Sequence, residues 1–134
     1  MIVVDSNVVI YLYLPTALTV RAEKLRVTEP QWAVPGLWRS EVRSALSHYI
    51  RQRMITLEQA CRIQTAAENL LADTEYDVPS FEILQLVSAS TCSAYDCEFA
   101  ALAKRLGIKL VTADKKVLRE FPETAISLAT AVAG

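Results

Sequence analysis

Four acidic residues stand at positions where the sequence predicts a strand to end or a helix to begin. Asp5 and Asp114 each follow a short apolar run, and Glu41 and Asp96 fall in the first turns of predicted helices. In open α/β folds, ligands bind beyond the carboxyl ends of the strands, which is also where the following helices begin. We therefore expect these four carboxylates to converge on one cleft.

Carboxylates that converge in this way repel one another, and the repulsion raises the pKa of some of them. A hard divalent cation offsets the repulsion, and Mg²⁺ and Mn²⁺ prefer oxygen ligands with water completing the shell. Such ions activate water and stabilise negative charge that develops on a phosphate. The four acids therefore suggest a Mg²⁺ or Mn²⁺ site. Each acid taken alone also fits a role as a helix cap or first-turn residue, so their spacing leaves both interpretations open.

Short apolar runs alternate along the chain with longer segments of helical periodicity. This alternation predicts an α/β fold, a three-layer α/β/α sandwich around a mostly parallel central sheet. Thr56 and Gln59 form a capping-box pattern, and Gly107 is expected to end a helix. Strands are predicted at residues 1–4, 31–34, 75–78 and 108–111, with one edge strand within 125–133. Helices are predicted at residues 8–14, 16–27, 37–53, 57–72, 80–87, 96–106 and 115–119.

The composition favours a single domain over residues 1–134. The chain is 52% hydrophobic, and its longest apolar run, 8–14, is far shorter than the ~20 residues that cross a bilayer. No basic residue precedes the first apolar stretch, which argues against a signal peptide. Three cysteines without a CxxC pair and one histidine disfavour a disulfide framework and a zinc site. We therefore expect a reduced, cytoplasmic protein with no membrane association.

Four segments around the acids carry a resemblance to a known family. They are IVVDSNV at residues 2–8, WRSEV at 38–42, SAYDCEFAALA at 93–103 and LVTAD at 110–114. In this order and at these intervals, over nearly the whole chain, they resemble the PIN-domain family. More narrowly, they are similar to the VapC-type toxins of type II toxin–antitoxin pairs.

The resemblance implies a Rossmann-like, PIN-type fold and a metal-dependent endoribonuclease that uses Mg²⁺ or Mn²⁺. It implies that Asp5, Glu41, Asp96 and Asp114 form the catalytic and metal-binding cluster. Ser6 and Thr112 would be its hydroxyl-bearing neighbours. It also implies an RNA substrate, a homodimer and a small antitoxin partner, whose groove we expect along the helices at 37–53 and 57–72.

The charge distribution is compatible with an RNA substrate. The net charge of −1 argues against binding through bulk charge alone, but without the four acids 14 basic residues stand against 11 acidic ones. Residues 104–119 carry six basic residues against one acidic residue. Arg39, Arg43, Lys115 and Lys116 are the predicted RNA contacts, although each also fits an ordinary solvated helix face.

Three features of the site stay open at this level. Many family members carry a further acid shortly after the last one, where this chain has Lys116 and Val117, so one or two metal ions are possible. Glu98 is expected to be a surface acid or an ion-pair partner. His48 lies about two helical turns after Glu41, and a surface or packed position is preferred over an RNA contact.

Other functions fit these residues less well than a nuclease does. The main alternative is a non-catalytic RNA- or protein-interaction domain on the same fold, but the presence of all four acids favours the enzyme. A phosphotransferase of the haloacid-dehalogenase type requires an acid where Asn7 stands, and a phospho-receiver domain requires paired acids where Asp5 is followed by Ser6. The RNA target and the cleavage site depend on surface shape, which the sequence does not specify.

Overall fold

The computed structural model describes residues 1–133, so Gly134 of the domain predicted over 1–134 lies outside the described residues. The strands are β1 (Ile2–Val4), β2 (Trp32–Pro35), β3 (Glu75–Tyr76), β4 (Leu110–Thr112) and β5 (Ala125–Ser127). The helices are α1 (Ser6–Tyr13), α2 (Thr19–Thr28), α3 (Trp38–Arg51), α4 (Leu57–Leu71), α5 (Ser80–Ser88), α6 (Ala94–Leu106), α7 (Lys115–Glu120) and α8 (Leu128–Val132), with a 3-10 turn at Ala72–Thr74.

The five strands form one parallel sheet in the order β3-β2-β1-β4-β5. Strand β1 lies at the centre, where Val3 pairs with Ala33 of β2 and with Leu110 of β4. All residues of β1, β2 and β4 are buried, as expected for strands covered on both faces. The predicted α/β architecture with a parallel central sheet is therefore confirmed.

Helices flank this sheet and pack against its strands and against one another. Helix α6 packs against β1, β2 and β4, and its fully buried Ala100 and Ala103 allow a close approach to the strands. Helix α5 packs against α6, while α1 packs against α3 and α2. None of the helices within residues 1–133 is both long and apolar enough to span a bilayer.

Local sequence signals account for several helix ends. The predicted capping box is present, because the Thr56 hydroxyl accepts from the Gln59 backbone and the Gln59 side chain accepts from the Thr56 backbone. Gly107 ends α6 in the left-handed conformation, at a φ of 66° that favours glycine. Both expectations are confirmed.

Several element boundaries differ from the sequence prediction. Helix α1 begins at Ser6 rather than at residue 8, because the Asp5 side chain caps it. The fourth strand covers Leu110–Thr112 rather than 108–111, which places Thr112 inside the sheet. The predicted tail strand covers only Ala125–Ser127, at the edge as expected, and the following residues form α8.

Candidate active site

Asp5, Glu41, Asp96 and Asp114 line one cleft of about 500 Å³. Asp5 directly follows β1 and Asp114 lies two residues after the neighbouring strand β4. Glu41 and Asp96 lie in the first turns of α3 and α6. The structure thus brings together all four acids that the sequence singled out, at the carboxyl edge of the sheet.

Asp5 is the most enclosed of the four acids, with 9% of the residue exposed. Its Oδ1 accepts a 2.8 Å hydrogen bond from the Ser6 backbone, and its Oδ2 accepts a 2.7 Å bond from the Thr112 hydroxyl. Burial raises the pKa of Asp5 from its ordinary value of 3.8 to about 6, although both hydrogen bonds lower it. The charges of Asp96 and Asp114 add to the rise.

The Ser6 hydroxyl links the first acid to the second. It donates a 2.8 Å hydrogen bond to Oε1 of Glu41, and its backbone N–H is bonded to Asp5. Burial raises the pKa of Glu41, and the charges of Asp5, Asp96 and Glu98 contribute further. Ser6 therefore forms hydrogen bonds with two carboxylates, and burial favours the protonated form of each.

Asp114 and Asp96 both belong to helix N-termini. Asp114 Oδ1 accepts from the backbones of Lys116 and Val117, at 2.8 and 3.2 Å, and so caps α7. Asp96 is preceded by Ser93, whose hydroxyl caps α6 by accepting from the Asp96 backbone at 3.1 Å. Burial raises the pKa of Asp96, as does the charge of Asp114, whereas the charge of Lys116 lowers it.

The four carboxylates supply the oxygen donors that a hard divalent cation prefers, although they do not lie close enough together to surround one. Within residues 1–133, no group of three or more Asp, Glu, His or Cys side chains is close enough to hold a metal ion. The cleft nevertheless gathers four carboxylates, and burial raises the pKa of three of them. Oxygen donors that repel one another are those that Mg²⁺ or Mn²⁺ would stabilise.

Among the residues that the structure describes, those that line this cleft do not include any of the four predicted RNA contacts. Arg39 forms ion pairs with Glu75 at 2.8 Å and with Glu68 at 2.9 Å. Arg43 donates to the Arg39 carbonyl and to the Ser40 hydroxyl. The other two, Lys115 and Lys116, are exposed on the first turn of α7, beside Asp114.

Sequence reasoning missed part of the cleft wall. Besides the four acids and the predicted Ser6, the cleft is lined by Asn7, Ile10, Ser44, Ala45, His48 and Tyr49. His48, expected to have a surface or packed position, is exposed but faces this cleft together with Tyr49. Glu98 is only partly exposed, and its charge acts on Glu41. Helical spacing from Glu41 was the available signal, because positions 45 and 48 follow it on the same face of α3.

Comparisons with known proteins agree with this architecture. The model of the PIN domain family matches residues 2–124 of the chain. No curated protein sequence matches it.

Three solved structures share the fold at low sequence identity. PAE2754 from Pyrobaculum aerophilum has a TM-score of 0.78 and 21% identity, covering 97% of this chain and 92% of that one. FitAcB from Neisseria gonorrhoeae has a TM-score of 0.74 and 17% identity, covering 96% and 99%. A toxin–antitoxin complex from Klebsiella pneumoniae has a TM-score of 0.73 and 17% identity, covering 96% and 98%.

Proposed function

Because this chain belongs to the PIN-domain family, we propose that it is an endoribonuclease that requires Mg²⁺ or Mn²⁺. The observation that carries the proposal is the single cleft lined by Asp5, Glu41, Asp96 and Asp114. We further propose that it is the toxin of a type II toxin–antitoxin pair. In support of this, one of the similar structures is the toxin–antitoxin complex from Klebsiella pneumoniae. We also propose that it acts in the cytoplasm.

The proposed reaction is hydrolysis of an RNA phosphodiester bond. A bound Mg²⁺ or Mn²⁺ would supply Lewis-acid activation of water and stabilise the charge that develops on the phosphate and the leaving oxygen. Asp5, Asp96 and Asp114 would hold the ion, and Glu41 would hold it or orient the attacking water. Water adds to phosphorus and the bond to the 3′-oxygen breaks, which leaves a 5′-phosphate and a 3′-hydroxyl.

The hydroxyls beside the acids have a positioning role in this scheme. Thr112 keeps the Asp5 carboxylate oriented, and Ser6 does the same for Glu41. Both hydroxyls are buried, so they are held in place before any substrate arrives. Preorganised polar groups of this kind cost no reorganisation during the reaction.

Substitution of single acids tests the proposal. Asp5→Asn and Asp96→Asn should abolish Mn²⁺-dependent cleavage of RNA, while Asp77→Asn is a matched control at an exposed position outside the cleft. Circular dichroism should show that all three variants fold. Cleavage by Asp5→Asn at the wild-type rate would refute the assignment.

The antitoxin is proposed to dock on an apolar groove between α3 and α4. Leu46, Ile50, Ala60 and Cys61 belong to its lining, and its volume is about 210 Å³. Met54 lies in the connection between α3 and α4, and Leu57 begins α4. They are 64% and 69% exposed. Exposed apolar surface of this kind is typical of a surface that accepts an amphipathic helix.

A small protein encoded directly beside the gene of this chain would be the partner to test against this groove. Ile50→Glu should weaken its binding in calorimetry and leave RNA cleavage by the free protein intact. Undisturbed binding by Ile50→Glu would place the partner elsewhere. Analytical ultracentrifugation of the free protein tests the proposed homodimer.

A further inference from the structure

The cleft has a second end that the acids do not occupy. Along α3, Glu41, Ala45 and His48 fall on one face, and His48 lies ~10 Å beyond Glu41 at 1.5 Å per residue. Ile10 of α1 and Tyr49 of α3 line the same space. We call these four residues, Ile10, Ala45, His48 and Tyr49, the distal pocket.

The distal pocket differs in chemistry from the acidic end. Its aliphatic side chains are partly buried, while the His48 ring is exposed and stands edge-on to Tyr49, with ring centroids 6.1 Å apart at 88°. Among the residues that the structure describes, no Lys or Arg lines the cleft. An anionic group therefore finds no Lys or Arg there, whereas an uncharged planar group finds apolar contacts and the exposed His48 ring.

We propose that the distal pocket binds one unpaired nucleobase of the RNA, stacked on His48, next to the phosphate at the acids. This inference rests on the proposed ribonuclease function and names the part of the substrate that the second end recognises. Proteins recognise unpaired bases by stacking them on aromatic rings, and a base inside a duplex is not available for this contact. The preferred substrate is therefore RNA that is single-stranded at this position.

Nuclear magnetic resonance tests the contact without any cleavage. His48 is the only histidine of the chain, so its ring protons are unique probes. Adenosine, guanosine, cytidine and uridine carry a base but no phosphate, and each is titrated separately at constant pH, with free ribose as the control. We expect a saturable upfield shift of the His48 ring protons with at least one nucleoside and none with ribose. Absence of a shift with all four nucleosides would overturn the proposal.

Kinetics on single-stranded RNA supply the second test. His48→Ala should raise KM by about 5- to 150-fold, the range for the loss of one stacked base, with little change in kcat. His48→Phe should restore KM, because it keeps a planar ring. Phe81→Ala removes an aromatic ring that is 73% exposed on α5, outside the cleft, and should leave KM unchanged.

The outcomes separate this inference from the ribonuclease proposal. Loss of cleavage in Asp5→Asn together with a wild-type KM in His48→Ala would overturn the nucleobase pocket alone. Wild-type cleavage in Asp5→Asn would overturn the active-site assignment, whatever the nucleosides do to His48. A KM increase that His48→Phe fails to reverse would contradict stacking as the mode of contact.

Discussion

The Thr112 hydroxyl donates a 2.7 Å hydrogen bond to Oδ2 of Asp5, although the two residues are 107 positions apart. They are brought together by the pairing of β1 with β4, in which Val4 stands opposite Val111. The same hydroxyl oxygen accepts a 3.0 Å bond from the Asp114 backbone. One fully buried hydroxyl therefore uses its donor on one acid and its acceptor on the segment that carries another.

Replacement of this hydroxyl should weaken both the fold and the proposed activity. Thr112→Val keeps the shape of the side chain but leaves the Asp5 carboxylate and the Asp114 N–H without this partner. A hydrogen bond to a charged group contributes about 2 kcal/mol, and we expect a loss of that order in the free energy of unfolding. Thr112→Ser keeps the hydroxyl and should lose less. Urea denaturation and RNA cleavage measure the two effects, and equal values for Thr112→Val and wild type would contradict this role.

The raised pKa of Asp5 predicts that stability falls as pH rises. An unfolded chain loses the Asp5 proton near pH 3.8, whereas the folded protein holds it up to about pH 6. The free energy of unfolding therefore falls as the pH rises between these two values. In the absence of divalent ions, the total decrease due to Asp5 is about 3 kcal/mol. Asp5→Asn has no such proton. The wild type should thus lose stability relative to Asp5→Asn as the pH rises from about 4 to about 7.

Urea denaturation across this pH range, in the presence of a chelator, checks the prediction. Asp77→Asn, at an exposed position, should follow the wild-type curve. Parallel curves for wild type and Asp5→Asn would show that burial does not raise the pKa of Asp5 as described.

The parts of the site that follow from local rules could be predicted from the sequence. The position of Asp5 and Asp114 at the site is predictable because short apolar runs precede them and because parallel strands end at one edge of a sheet. Gly107 was found because glycine adopts the left-handed conformation at helix ends. These signals depend on a few adjacent residues and not on the packing of distant elements.

The parts that depend on tertiary packing could not be predicted in this way. The bond from Thr112 to Asp5 depends on the register of β1 against β4, which no pattern within either strand specifies. Ile10 of α1 lines the cleft because α1 packs against α3. Helix α8 has only five residues and depends on the Ser127 cap, so its periodicity was too short to detect.

Binding of the proposed metal ion should depend on pH in the direction set by the acids. Carboxylates must be deprotonated to bind a cation, and the pKa of Asp5 is about 6. The affinity for Mn²⁺ should therefore fall as the pH drops below about 6, by up to about tenfold per pH unit for each proton released. Calorimetry in two buffers of different ionisation enthalpy measures both affinity and proton release. Binding at pH 5 as tight as at pH 8 would contradict a site that includes Asp5.

The end of α6 provides a test of stability that leaves the cleft untouched. Gly107→Ala places a side chain on a residue whose φ is 66°, and we expect a loss of about 1 kcal/mol in the free energy of unfolding. A side chain at Gly107 meets no atom within 4 Å, so the effect comes from backbone strain and not from a clash. Gly36→Ala is the matched control, since that position also has free space and lacks a positive φ. A loss of equal size at both positions would contradict the conformational explanation.

The basic residues near the cleft should divide into those that bind RNA and those that hold the fold. Lys116 is exposed and close enough to the cleft for its charge to lower the pKa of Asp96. Arg39 is already paired with Glu68 and Glu75. We therefore expect Lys116→Gln to weaken RNA binding and to reduce the slope of log affinity against log salt by about 1, as for the loss of one phosphate contact.

Arg39→Gln should behave in the opposite way. It removes two ion pairs and leaves Glu75 with the Trp38 indole as its remaining hydrogen-bond partner, so stability falls while the salt slope stays at the wild-type value. Fluorescence anisotropy with labelled RNA across a salt series measures the slope, and urea denaturation measures stability. A reduced slope for Arg39→Gln would mean that its ion pairs open when RNA binds, because a guanidinium that stays paired with two carboxylates releases no counterions from RNA.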